Sequence, residues 1–212
     1  MTTTPASLNN SADSLAIRAA IRRGGLAARL ALASDGDQHA ACAAQIEQHL
    51  MDWFAARSPT SFGFCAAIRG EFDAQPVAKR LIVQGWQAAM AVSVQANSPL
   101  EFREWMPQSV MTTDHHGIPV PQSALVAAPD ILLIPVVAFD AHGFRLGYGG
   151  GYFDRTLSAL ATRLPKPLAV GVGFALAKVD SVYPQVHDEA MDFIITENGI
   201  CSIAPDAKGL RR

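Results

Sequence analysis

"DILLIPVVAFD", Asp130 to Asp140, carries nine apolar residues in a row between two aspartates. A strand with one wet face alternates apolar and polar residues. A run without alternation belongs to a strand covered on both faces, as in the middle of a parallel sheet. The run is also far too short to cross a bilayer. Outward from it, "PLAVGVGF" (167–174) and "FIITENG" (193–199) read as later strands, the second as the last of the chain. "SFGFCAAI" (61–68), "QAAMAVSV" (87–94) and "LEFREWM" (100–106) read as earlier ones.

Helical patterns separate them. "DSLAIRAAIRRGGLAARLALAS" (13–34) has helical spacing, with Gly24 and Gly25 expected to interrupt it. "DQHAACAAQIEQHLMDWFAAR" (37–57), "AQPVAKRLIVQG" (74–85) and "YFDRTLSALATRL" (152–164) follow. "TTDHHGIPVPQ" (112–122) reads as a proline-broken surface loop. The alternation predicts an α/β fold: one doubly wound, mostly parallel sheet with helices on both faces, a Rossmann-like three-layer arrangement. Ligands of such sheets sit outside the carboxyl ends of the strands. The expected division is a disordered polar lead over 1–12, one domain over 13–204 and a flexible tail over 205–212.

Composition narrows the function. Half of the 212 residues are hydrophobic, 17% are charged and the net charge is -2. That excludes a disordered chain and gives no global basic field for nucleic acid. The N-terminus lacks the basic-then-apolar order of a signal peptide. Cys42, Cys65 and Cys201 stand far apart without a CxxC, which suits reduced, buried thiols in a cytoplasmic protein. The histidines, "HH" at 115 and 116 with His142 and His187, have no HExxH spacing for zinc.

The densest chemistry is "RLGYGGGYFDRTL", Arg145 to Leu157, with four glycines in five positions between a strand and a helix. No Lys-Ser/Thr follows, so it is not a P-loop, and Tyr152 stands where a GxGxxG pattern needs its last glycine. Successive glycine N–H groups can still form an anion nest, strengthened by the positive end of the following helix. Arg145 adds a forked donor for phosphate. Asp154, in the helix's first turn, suits either the helix dipole or a magnesium ion bridging phosphates.

With its surroundings, "PVVAFDAHGFRLGYGGGYFD" (Pro135 to Asp154) resembles the 5-formyltetrahydrofolate cyclo-ligase (5,10-methenyltetrahydrofolate synthetase) family, whose pattern is Pro-x-x-x-Phe-Asp-x-x-Gly-x-Arg-Leu-Gly-x-Gly-x-Gly-Tyr-Tyr/Phe-Asp. The likeness runs over about residues 13 to 200 and is strongest from Asp130 to Asp192. It implies an ATP- and Mg2+-dependent ligase of folate, one-carbon metabolism. Such an enzyme phosphorylates the formyl oxygen of 5-formyltetrahydrofolate, closes the carbon onto N10, and releases ADP and phosphate. Phosphoryl transfer of this kind needs positioning and charge neutralisation rather than a covalent nucleophile.

Carried over by position, the resemblance assigns Arg145 and the run Gly147, Tyr148, Gly149, Gly150, Gly151, Tyr152 and Phe153 to the nucleotide. Arg145 and Tyr152 are the catalytic expectations, and Tyr152 also lines the folate side. Asp154 and Asp188, the latter in "VHDEAMD", are the expected magnesium ligands, although Asp188 alone reads as a solvated loop acid. Glu71, in "IRGEFD", is the expected folate carboxylate, an acceptor suited to pterin N–H groups. Ala66, Trp105 and Phe139 are further pocket walls or simply core. In the first helix the family's Lys-x-x-Leu-Arg fits "RAAIR", giving Arg18 and Arg22 to the nucleotide; a slid match gives Ser14 and Arg18. Four-residue spacing puts Arg18 and Arg22 on one face. Equally, Arg18, Arg22, Arg23 and Arg29 fit the wet face of an amphipathic helix. Val120 stands where the family has Glu, and Ser93 where it has Pro.

The expectation is thus a cytoplasmic monomeric enzyme whose partners are ATP and a reduced folate, with no nucleic acid and no membrane. Two alternatives stand beside it. One is a cyclo-ligase-like ATP-binding protein acting on another substrate. The other is a non-catalytic nucleic-acid-binding or regulatory module using the basic first helix.

Overall fold

The central strand of the computed structural model is the apolar run itself. The structure describes residues 11–203, with side chains from residue 13. The expected lead and tail therefore lie outside the described residues, except that Ser11 and Ala12 already belong to helix α1 (Ser11–Ser34). Strand β7 (Ile131–Pro135) lies between β1 (Ser61–Phe64) and β10 (Leu168–Val172), parallel to both, with Phe62 opposite Ile131 and Val170 opposite Leu133. β2 (Gln87–Val92) and β11 (Phe193–Thr196) extend the parallel core on either side.

The outer pairings are antiparallel. β3 (Glu101–Glu104) and β6 (Leu125–Val126) close one side and β12 (Gly199–Ser202) the other, giving an eight-stranded sheet ordered β12-β11-β10-β7-β1-β2-β3-β6. β12 is a strand beyond the expected last one. The "TENG" turn sends the chain straight back, with Gly199 at φ 128°.

Period-two alternation feeds two cores. Ile131 and Leu133 join Phe62, Phe64 and Val170 under α2 (Gly36–Ala55) and α3 (Gln75–Val83), which supply Ile46, Leu50, Phe54, Val77 and Leu81. Leu132 and Ile134 face the other side, where Leu157 of α4 (Tyr152–Ala159) packs with Ala169 and Ile194. The α/β class and the mostly parallel sheet are as expected, and helices lie on both faces. The faces are unequal, because α4 ends at Ala159 rather than running to Leu164. Beyond it Arg163 turns back to the Asp130 carboxylate and the Pro129 carbonyl.

Two further segments depart from expectation. The proline-rich stretch is a β-ribbon, β4 (Met111–Thr113) against β5 (Pro119–Pro121). Asp114 makes its tip: the carboxylate accepts the N–H groups of His116 and Ile118, each at 2.9 Å, and Gly117 takes φ 75°. A second small ribbon, β8 (Ala138–Phe139) with β9 (Arg145–Leu146), leads from β7 to the glycine loop. Asp140 fixes its turn by accepting the N–H groups of His142, Phe144 and Val182. Against the expectation of buried thiols, Cys201 is exposed and Cys42 and Cys65 are half-buried, and none is disulfide-bonded.

Helix α1 is unbroken through Gly24 and Gly25. A Cβ on Gly25 would sit 2.4 Å from the Val137 carbonyl oxygen, so the glycine lets the helix lie directly on the chain leaving β7. Gly24 has nothing within 4 Å of the same position. Adjacent substitutions therefore have opposite signs. Gly24→Ala raises stability by about 0.5–1 kcal/mol through backbone entropy. Gly25→Ala lowers it, because an overpacking penalty of about 1–3 kcal/mol outweighs that gain. Urea unfolding midpoints of the two variants check this.

Candidate active site

The glycine loop joins β9 to α4 at the carboxyl end of the sheet. Gly149 at φ 103° and Gly151, the N-cap of α4, at φ 62° adopt backbone that other residues seldom take. Gly150 lies against the Tyr152 ring, where a Cβ would come within 2.7 Å. No side chain caps α4 among the described residues, so its first N–H groups are open to water or a ligand.

Three arginines of α1 reach this end of the sheet, two of them onto the loop itself. Arg18 is 4% exposed and grips Asp188 with both terminal nitrogens, at 2.5 and 3.1 Å, while also donating to the Tyr183 carbonyl. Its Nε is buried without a hydrogen-bond partner among the described residues. Arg22 donates from Nε to the Gly147 carbonyl at 3.0 Å. Burial lowers its pKa, and the neighbouring Arg18 charge lowers it further. Arg29, also 4% exposed, donates to the carbonyls of Arg69 (3.1 Å) and Val136 (3.3 Å) and to the Tyr148 hydroxyl. The wet-face alternative thus fails for Arg18 and Arg29 and holds for Arg23, which is exposed. Arg29 was missed as a site residue. Its spacing of seven from Arg22, after four from Arg18, was the available signal.

Arg145 is buried beneath the loop, donating from Nη1 to Asp154 Oδ1 at 3.0 Å and to the Glu189 carbonyl at 3.3 Å. The Glu189 N–H donates to the same Asp154 oxygen at 3.2 Å. Among the described residues Asp154 Oδ2 accepts no hydrogen bond, and the side chain is 18% exposed. Asp188 is enclosed by comparison: Oδ2 also accepts the Gln185 N–H at 2.7 Å. For this aspartate to reach a metal, Arg18 must release it. No group of three or more metal-binding side chains occurs among the described residues.

Tyr148, in the loop, ties it to Glu71. Its hydroxyl donates to Glu71 Oε1 at 2.8 Å, while Oε2 accepts the Ile68 N–H at 3.0 Å. Arg29 Nη1 stands 3.6 Å from Oε1. The guanidinium groups of Arg29 and Arg69 lie 5.6 and 5.5 Å from the centre of the Tyr148 ring. Burial raises the Glu71 pKa, against the opposing pull of the Ile68 N–H and the Arg29 charge. Burial and the Glu71 charge likewise push the Tyr148 phenol up. Beside Glu71 is a water-sized cavity of about 20 Å³ lined by Phe64, Cys65, Phe72, Pro135 and Val172.

Tyr152 opens α4 and turns its hydroxyl to the β4–β5 tip, 2.9 Å from His116 Nε2. Phe153 packs into the second core under Arg145. The sequence-expected residues around the loop are therefore brought together: Arg18, Arg22, Arg145, residues 147–154, Asp188 and Glu71. Ala66 and Trp105 are buried in the first core, Trp105 edge-on to Phe64 at 5.2 Å, and Phe139 is buried in the second.

Comparison with known proteins gives a consistent result. The model of the 5-formyltetrahydrofolate cyclo-ligase family matches residues 14–197. The 5-formyltetrahydrofolate cyclo-ligase of Escherichia coli K12 is 38% identical over 98 residues, 42% of this chain and 52% of that protein. The chain thus spans about half the length of that relative. The Haemophilus influenzae cyclo-ligase is 30% identical over 152 residues, 67% of this chain and 78% of that one. Among solved structures, the 5,10-methenyltetrahydrofolate synthetase of Aquifex aeolicus superposes with TM-score 0.73 at 22% identity, covering 88% of this chain and 93% of that one. The Mycoplasma pneumoniae synthetase gives 0.69 at 21%, covering 85% and 98%. At such identities the structures speak to the fold.

Two outcomes follow from the buried charges. Arg18→Ala takes the bidentate partner from an aspartate that is 2% exposed, so unfolding free energy falls by about 3–5 kcal/mol in urea titrations at neutral pH. Glu71 holds its proton more tightly folded than unfolded, so its contribution to stability is present below the ordinary value of 4.5 and is lost as pH rises through the raised one. Glu71→Gln removes that dependence. Its stability relative to the unmodified protein therefore improves between pH 4.5 and the raised value and is level above it, read from guanidinium midpoints across a pH series.

Proposed function

The chain belongs to the 5-formyltetrahydrofolate cyclo-ligase family, and from that premise we propose that it cyclises 5-formyltetrahydrofolate to 5,10-methenyltetrahydrofolate with ATP. The formyl oxygen attacks the γ-phosphorus and the bond to ADP breaks. N10 then attacks the activated carbon and loses its proton, and the C–O bond to phosphate breaks. What carries the reading is the Tyr148 hydroxyl on Glu71, which joins the anion loop and a buried carboxylate in one network.

The loop amides from Gly147 to Gly151 and the α4 N-terminus receive the phosphates, with Arg22 beside Gly149 as the adjacent cation. Arg145 and Arg18 hold the acids and the loop from behind, so the site is charged and ordered before substrate arrives. Magnesium, when bound, would supply neutralisation of phosphate charge. Asp154, with Oδ2 uncommitted, suits one of its one or two carboxylate positions, and Asp188 joins it if Arg18 lets go. Glu71 accepts the N–H donors of the pterin in place of the Tyr148 hydroxyl. Tyr152 completes the folate side.

Burial of Arg18 and Arg29 in this network argues against a nucleic-acid module built on α1. No helix among the described residues is long and apolar enough to cross a membrane. A single-domain cytoplasmic monomer is part of the same proposal.

Growth of methenyl-folate absorbance, with 5-formyltetrahydrofolate, ATP and magnesium, tests it. The rise depends on ATP. Asp154→Ala weakens apparent magnesium affinity by about 10–100-fold or more. Glu71→Gln lowers kcat/KM for the folate by about 10–100-fold, the worth of one charged hydrogen bond. ATP binding without any absorbance change points instead to another substrate for the same loop.

A further inference from the structure

His115 and His116 lie against each other at the tip of the β4–β5 ribbon, ring centres 3.8 Å apart and planes tilted by 40°, and both reach the Tyr152 hydroxyl. His115 Nδ1 lies 2.6 Å from the Ser93 carbonyl oxygen. A carbonyl only accepts, so Nδ1 carries the proton, and Nε2 of the neutral ring is an acceptor. That Nε2 is 3.4 Å from Tyr152 Oη, and His116 Nε2 is 2.9 Å from the same oxygen. One assignment uses every group. His116 Nε2–H donates to Tyr152 Oη, the Tyr152 hydroxyl donates to His115 Nε2, and His115 Nδ1–H donates to Ser93. The reverse choice at Tyr152 leaves His115 Nε2, which is exposed, to solvent alone.

We propose that His115 and His116 are positioning residues that fix the direction of the Tyr152 hydroxyl beside the glycine loop. The inference rests on the reading of Tyr152 as part of the folate side. With its proton committed to His115 and one lone pair to His116, Oη presents its remaining lone pair, an acceptor, to a substrate N–H. The ring is held in place from the other side as well. The Arg155 guanidinium lies 5.2 Å from the Tyr152 ring centre and donates to the Gly150 carbonyl, so hydroxyl and ring plane are both set. Ser93, a departure from the family pattern, acts here through its carbonyl just beyond the end of β2.

The test has a spectroscopic arm and a kinetic arm. Ring-nitrogen NMR of ligand-free protein is expected to show His115 as the Nδ1–H tautomer and His116 as the Nε2–H tautomer, with both rings shifted by Tyr152→Phe. The opposite tautomer at His115, or rings indifferent to Tyr152→Phe, overturns the inference whatever the substrate. In turnover, His115→Gln lowers kcat/KM for 5-formyltetrahydrofolate by about 3–10-fold, the worth of one hydrogen bond, and leaves the KM for ATP unchanged. In a Tyr152→Phe background the same substitution has no further effect. Equal losses in both backgrounds mean that His115 acts by another route and overturn the inference. The expected tautomers in a protein that never turns over the folate sink the folate reading, and the role assigned to the pair falls with it.

Discussion

Helix α1 rests on the chain leaving β7 with no side chain between them, and the site depends on that contact. Gly25 makes it possible, because any larger residue would meet the Val137 carbonyl. The close approach brings the arginine face of the helix over the carboxyl ends of the strands. From there Arg18 reaches Asp188, Arg22 reaches Gly147, and Arg29 reaches Val136 and Tyr148. One helix thus holds the glycine loop, the acidic loop before β11 and the turn after β1.

The charges of the site are arranged in advance. Buried ion pairs add little net stability, since desolvation offsets most of their attraction, but breaking one is expensive. Arg18 with Asp188 and Arg145 with Asp154 therefore serve to fix geometry. Each places a carboxylate beside a loop of free amides while keeping the ligand-free state near electrical balance. A polyanion entering such a loop meets oriented donors and needs little reorganisation. Glu71 sits at the other end of the network, desolvated and held by Tyr148, ready to exchange one hydrogen-bond donor for another.

Much of this was legible in the chain. β7 declared itself by an apolar run that no half-exposed strand would carry, and the loop by a glycine density that no ordinary turn requires. The pair Arg18 and Arg22 was pointed to by the likeness to the family pattern, and four-residue spacing chose that registration over Ser14 and Arg18. Other features were hidden for physical reasons. The β4–β5 ribbon depends on the Asp114 side chain standing in for backbone partners, which outweighs the turn signal of its prolines. Gly25 reads as a helix breaker until its neighbour across the fold is known. Tyr148 meets Glu71 across 77 positions of sequence, and nothing local to either residue announces the contact.

Hydrogen exchange of the backbone amides from Gly147 to Tyr152, with and without ATP and magnesium, shows whether the glycine loop receives the nucleotide. Strong slowing is expected at the loop and the start of α4, accompanied by slowing at Arg18–Arg22 of α1, with the strand amides of β7 unchanged. Exchange at the loop that ATP and magnesium leave untouched, under conditions where the nucleotide binds elsewhere on the protein, would contradict that role of the loop.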